Sequence, residues 1–184
     1  MLYFDNLPYH EIISSVNKFS KNSNNVDLKI GILRNITVDN YLPLIEYLLS
    51  KEKFNVTVRQ GEYDVIMQEV LESGMPINQF KPDILVIFLN IEQIASNLYN
   101  RYTELSEDEI VVEKEFILEY VLKLFEAINK NFKVKVIFNL FELPDNLPYD
   151  IFEIQNRVGL RNLIDEINRS IIKFSKEFND IYFA

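Results

Sequence analysis

The run Asp83-Ile84-Leu85-Val86-Ile87-Phe88-Leu89 constrains this chain more than any other stretch. After the aspartate it is apolar without alternation, which is what a strand covered on both faces needs and what a central strand of a helix-flanked parallel sheet has. Shorter β-rich runs surround it: Leu28-Lys29-Ile30-Gly31-Ile32-Leu33, residues 54–59, residues 133–138 and a closing run from Asp180. Helix-period segments separate them. Residues 8–21 place Ile12, Ile13, Val16 and Phe19 on one face. Tyr41, Leu44, Ile45, Leu48 and Leu49 form a second stripe, with Pro43 in a first turn that has no amide bond to lose. Residues 63–72 predict a short helix broken by Ser73-Gly74-Met75-Pro76. Residues 113–130 predict an amphipathic helix burying Phe116, Ile117, Tyr120, Val121, Leu124 and Ile128. Residues 155–178 predict a long one through Leu160, Leu163, Ile164, Ile167, Ile171, Phe174 and Phe178.

Strands separated by helices of this length predict a three-layer α/β/α sandwich, a parallel sheet of about five strands in the flavodoxin-like order 2-1-3-4-5, with an extra N-terminal helix. Residues 1–26 divide off as that helix and a polar linker (Lys21 to Asn25), and residues 27–184 form the α/β domain. An end on a strand has the look of one part of a longer protein or system. A length of 184 residues suits one core without staples, and with no Cys there is no disulfide, thiolate nucleophile or Cys-ligated zinc. The net charge of −9 argues against nucleic acid or an anionic membrane as partner. A single His leaves little for a His-ligated metal or a serine hydrolase. No signal peptide and no 18-residue apolar run are present, so the expected location is the cytoplasm. Neither metal nor cofactor is expected.

Open parallel sheets bind ligands beyond the carboxyl ends of their strands, where strand order reverses. The loops that qualify offer Arg34, Asn35 and Thr37 after the first strand, Gly61 after the second, Asn90 after the third and Asn139 after the fourth. Amides, a hydroxyl and a glycine N–H can donate to an anionic or carbonyl oxygen. The same residue types also simply end strands, and Thr37 is equally placed to cap a helix. The first loop has neither phosphate-cradling glycine motif. His10 is far in sequence from every strand end. The acidic run 104–109 lacks calcium-loop spacing and reads as a solvated loop, and Asp83 opens its strand at the wrong edge for a ligand. The aromatic connection with Tyr99 and Tyr102 suits either a lid or a satellite cluster.

Several blocks together resemble the SGNH-hydrolase-like N-terminal domain of FkbH-like proteins. These are Leu28 through Thr37, Gly61-Glu62-Tyr63-Asp64 with Gln68-Glu69, Phe80-Lys81-Pro82-Asp83-Ile84-Leu85-Val86-Ile87, and Ile167-Asn168 in a late helix. The resemblance implies a flavodoxin-like SGNH domain that normally precedes a haloacid-dehalogenase-like domain and loads glyceryl units onto acyl carrier protein. The family's phosphoryl chemistry belongs to an Asp-x-Asp motif of the second domain, which these residues do not contain. Gly61 and Asn90 fall where the resemblance places an oxyanion-hole glycine and Asn.

Active SGNH esterases carry a Gly-Asp-Ser block after strand one and an Asp-x-x-His block beyond strand five. Here the first block reads Leu33-Arg34-Asn35-Ile36-Thr37, and the second is not within these residues. Thr37 is the only substitute nucleophile and has no general base in view. Arg34, in place of a small residue, is suited to a carboxylate or phosphate. The first expectation is thus a non-catalytic binding or docking domain, partnered by a haloacid-dehalogenase-like domain and an acyl carrier protein. An acidic carrier would need a local basic patch on this acidic chain. The alternatives are an active esterase or acyltransferase using Thr37 or a residue from a further C-terminal segment, and a flavodoxin-like module for a flavin or small anion.

Overall fold

The unalternating run forms the middle of the sheet. In the computed structural model, which describes residues 7–16, 23–143 and 159–184, β3 (Ile84–Phe88) lies between β1 (Val26–Arg34) and β4 (Lys135–Phe138). Outside these lie β2 (Phe54–Gln60), next to β1, and β5 (Ile181–Phe183), next to β4. The order is 2-1-3-4-5 and every pairing is parallel, as the sequence predicts. Alternate residues of β3 enter two different cores. Leu85 and Ile87 join a large cluster with Leu33, Val136 and Phe138, while Ile84, Val86 and Phe88 pack against Ile30 and Ile32 on the other face.

The second face is covered over β1 and β2 by α2 (Leu42–Lys51), through Leu42, Ile45 and Leu49. On the outside of α2 lies α1 (Tyr9–Val16), the described part of the helix expected over residues 8–21. The stripe read for α2 differs from the observed one: Tyr47 is buried, while Tyr41 is exposed. On the first face lie α3 (Ile66–Leu71), α4 (Pro76–Phe80), α7 (Glu107–Asn131) and α8 (Leu160–Phe174). Residues 144–158, which include the start of the helix expected from Gln155, lie outside the described residues. The expected aromatic connection is two short helices, α5 (Ile91–Ile94) and α6 (Ser96–Asn100), and a 3-10 turn at Tyr102–Glu104.

Two expectations for α7 are corrected. It starts at Glu107, inside the run read as a solvated loop, because Ser106 and Glu109 make a capping box: Ser106 Oγ accepts from the Glu109 amide, and Glu109 accepts from the Ser106 amide. The three acidic residues of this first turn also complement the helix dipole. Phe116 is exposed rather than buried. The buried stripe runs through Ile110, Ile117, Val121, Leu124 and Ile128, and Phe116 stands a rotation of about 100° before Ile117.

At the amino edge Asp83 has a structural task, its Oδ2 accepting from the Lys29 amide at 2.8 Å. Gly31 sits where a Cβ would meet Pro82 Cγ at 3.0 Å, so the Pro-Asp turn packs closely against β1 at a glycine and any side chain there would push it back by a few tenths of an ångström. A hollow of about 670 Å³ also opens at this edge, between Phe125, Phe132, Phe178 and the Lys133 to Val136 stretch. It lies at the wrong end of the strands for a switch-point ligand.

Candidate site at the switch point

β1 and β3 are neighbours whose following segments leave on opposite faces, β1 toward α2 and β3 toward α5 through α7. This divergence opens a crevice of about 310 Å³ at the carboxyl edge. One wall is Ile36, Val38 and Tyr41 from the loop after β1. The other is Leu89, Asn90, Ile91 and Tyr99 from the segment after β3, with Asn139, Glu142 and Leu143 after β4 closing the end and Phe88 below.

Of the residues singled out in the sequence, the crevice brings together Asn90 and Asn139. Asn90 caps α5, its Oδ1 accepting from the Glu92 amide at 2.7 Å. Asn139 donates Nδ2 to the Leu140 carbonyl at 3.0 Å. These bonds fix both amide orientations and leave Asn90 Nδ2 and Asn139 Oδ1 for a ligand.

The other candidates are engaged elsewhere. Asn35 is buried and clamps the Asn90 backbone from both sides: its Nδ2 donates to the Asn90 carbonyl at 3.1 Å, and its Oδ1 accepts from the Asn90 amide at 2.7 Å. Asn35→Ala would leave two part-buried backbone groups without these partners and is expected to cost about 1–3 kcal/mol. Asn35→Asp, which keeps an acceptor for the amide, is expected to lose less. Urea unfolding of the three proteins measures both differences.

Gly61 spends its amide on the Ile32 carbonyl at 2.8 Å, continuing the sheet ladder. Its lack of a Cβ serves Glu69, whose Oε1 would stand 2.9 Å from that atom. Thr37 is exposed and outside the crevice lining. Arg34 lies outside the lining too. Its guanidinium lies 5.5 Å from the Tyr63 ring centroid, and Nη1 donates to the Ile36 carbonyl at 3.3 Å. Beside it the Gln60 amide donates to Asp39 at 2.9 Å, and this bond, with the Arg34 charge, holds the Asp39 carboxyl below its ordinary range. A depressed carboxylate stabilises above its unfolded value and loses that contribution as pH falls through the lowered one. His10 is 80% exposed on α1, with Glu11 at 4.0 Å.

Tyr41 and Glu142 belong to the crevice without having been singled out, and neither carries a motif by which to find it. The aromatic connection divides: Tyr99 lines the crevice and Tyr102 is buried in the core. No Lys or Arg is among the described lining residues. The described residues hold no cluster of three or more His, Cys, Asp or Glu that could bind a metal ion, and none of their helices is long and apolar enough to cross a membrane.

Fold and crevice together define an open, doubly wound parallel α/β domain with a ligand-sized cleft at its topological switch point. No family model matches the chain, and no curated protein matches it. Among solved structures it is similar to the N-terminal part of the protein BF1531 from Bacteroides fragilis, described as containing a phosphatase domain complexed with Mg. The TM-score is 0.73 at 15% identity, over 96% of this chain and 44% of that one. The chain thus spans less than half the length of that neighbour, and the likeness is one of fold.

Proposed function

We propose that the chain is a non-catalytic SGNH-like binding domain of an FkbH-like system, working beside a haloacid-dehalogenase-like phosphatase domain in loading glyceryl-type units onto an acyl carrier protein. The observation that carries this reading is the crevice itself. It sits where an SGNH enzyme would work and keeps the amides of Asn90 and Asn139, but Thr37 stands outside it and the sole histidine is exposed on α1. Such a rim can orient a ligand, and without a paired nucleophile and base it has no route to acyl transfer. The neighbour's phosphatase-containing chain supports the association with phosphoryl chemistry carried elsewhere.

Docking of an acidic carrier is supported by a local basic surface. Lys29 Nζ and Arg59 Cζ lie 5.6 and 5.9 Å from the ring centroid of Phe80, with exposed Lys81 next in sequence. Neither Lys29 nor Arg59 makes an ion pair among the described residues, and the nearby Asp27 and Asp83 accept from Asn55 Nδ2 and the Lys29 amide. Two cations held at one ring remain available to carboxylates of a partner.

The test is calorimetric titration of acyl carrier protein into the chain at high micromolar concentration. Binding is expected to weaken with salt, and Arg59→Glu to weaken it about tenfold, the effect of roughly 1.4 kcal/mol. No heat at that concentration ends the carrier reading. Release of p-nitrophenol from short acyl esters, abolished by Thr37→Ala, establishes the esterase instead.

A further inference from the structure

Resting on the reading of the crevice as a ligand site, we infer that the group it selects is a primary ammonium on a short apolar stem, not a carboxylate or phosphate. A cation in the wall would favour an anion, and the described lining contains none. The residue best suited to supply it, Arg34, is directed to Tyr63 and the Ile36 carbonyl and has Asp39 beside it.

What remains in the crevice favours a donor. Asn139 keeps its acceptor Oδ1, and Glu142 adds a carboxylate with no partner among the described residues. Against these stands one side-chain amide donor, Asn90 Nδ2. An ammonium has three donors and no acceptor, so it satisfies Asn139 Oδ1 and the Glu142 carboxylate and leaves Asn90 Nδ2 to water, where a carboxylate would meet two of the three groups lone pair to lone pair. Phe88, Tyr41 and Tyr99 add aromatic faces, which attract cations and cover an apolar stem. The net charge of −9 raises the local concentration of cations and lowers that of anions. A volume of about 310 Å³ suits a small molecule.

A matched series tests the inference: n-butylammonium, 1-butanol and butyrate, titrated into the 15N-labelled chain at low ionic strength. Butylammonium is expected to shift the side-chain amide signals of Asn90 and Asn139 and to bind about fivefold more tightly than butanol, with butyrate weakest. Glu142→Gln, at an exposed position, is expected to leave the spectrum folded and to erase the preference over butanol. If butanol or butyrate shifts these amides with equal or higher affinity, the ammonium inference falls and the crevice stands as a ligand site. If none of the three shifts either amide at tens of millimolar, the ammonium inference falls as well, and the proposed function is decided separately by the carrier titration. A preference that survives Glu142→Gln overturns the role of the carboxylate.

Discussion

Phe125→Ala is expected to lower the unfolding free energy by about 3–5 kcal/mol. Phe125 is fully buried on α7 and meets Phe138 of β4 edge-on at 5.3 Å. Phe174 and Phe178 lie 5.9 Å away on its other side. The ring therefore joins the sheet, α7 and the end of α8 at one point, and truncation loses its transfer energy, its edge contacts and the close packing of three elements. Phe125→Leu, which keeps most of the volume, is expected to cost about 1–2 kcal/mol. Urea unfolding checks both, with an unchanged m value indicating that stability alone has moved.

The second large loss is expected at Glu69, fully buried on α3 with no cation bonded to it among the described residues. Oε1 accepts from the Glu62 amide at 2.7 Å and Oε2 from the Ile77 amide at 2.9 Å, so one side chain ties the loop after β2 to the start of α4. Glu69→Ala leaves both amides without acceptors and opens space beside Gly61, and is expected to cost about 3–5 kcal/mol. Glu69→Gln keeps one acceptor and turns an NH2 toward the other amide, with an expected cost of about 1–3 kcal/mol. A Glu69→Gln protein as unstable as Glu69→Ala would mean that the charge, not the hydrogen-bond geometry, holds the loop. Gly61→Ala is expected to act on the same contact from the other side, since its Cβ has no room beside Oε1.

The sheet was legible because its signal is local. An unalternating β3 and helices between strands leave few arrangements, and the observed order is the expected one. The start of α7 was legible in principle, through Ser106 and Glu109 at capping-box spacing, but the acidity of the run pointed to a loop. Phe116 shares the apolar character of the buried stripe but not its angular position, which lies about 100° away and leaves it exposed.

The site was legible only as a set of loops. Whether an amide is free depends on partners far along the chain: Asn35 is bonded to a backbone 55 residues away, a distance over which no motif speaks. Gly61 looked like a donor and serves as a space for Glu69. Tyr41 reaches the crevice because the connection after β1 leaves the sheet away from the one after β3, and Glu142 because the segment after β4 closes the end, properties of topology and not of either residue.

The Asn35 clamp also bears on how the cleft works in time. Its two bonds rivet the second residue beyond β3 to the first residue beyond β1, just where the walls separate. A mouth riveted in this way is a mould and not a jaw: its width is set when the chain folds, and a guest does not have to bear the entropy of ordering it. Hydrogen exchange at the Asn90 amide should accordingly be as slow in the empty protein as in one filled with ligand.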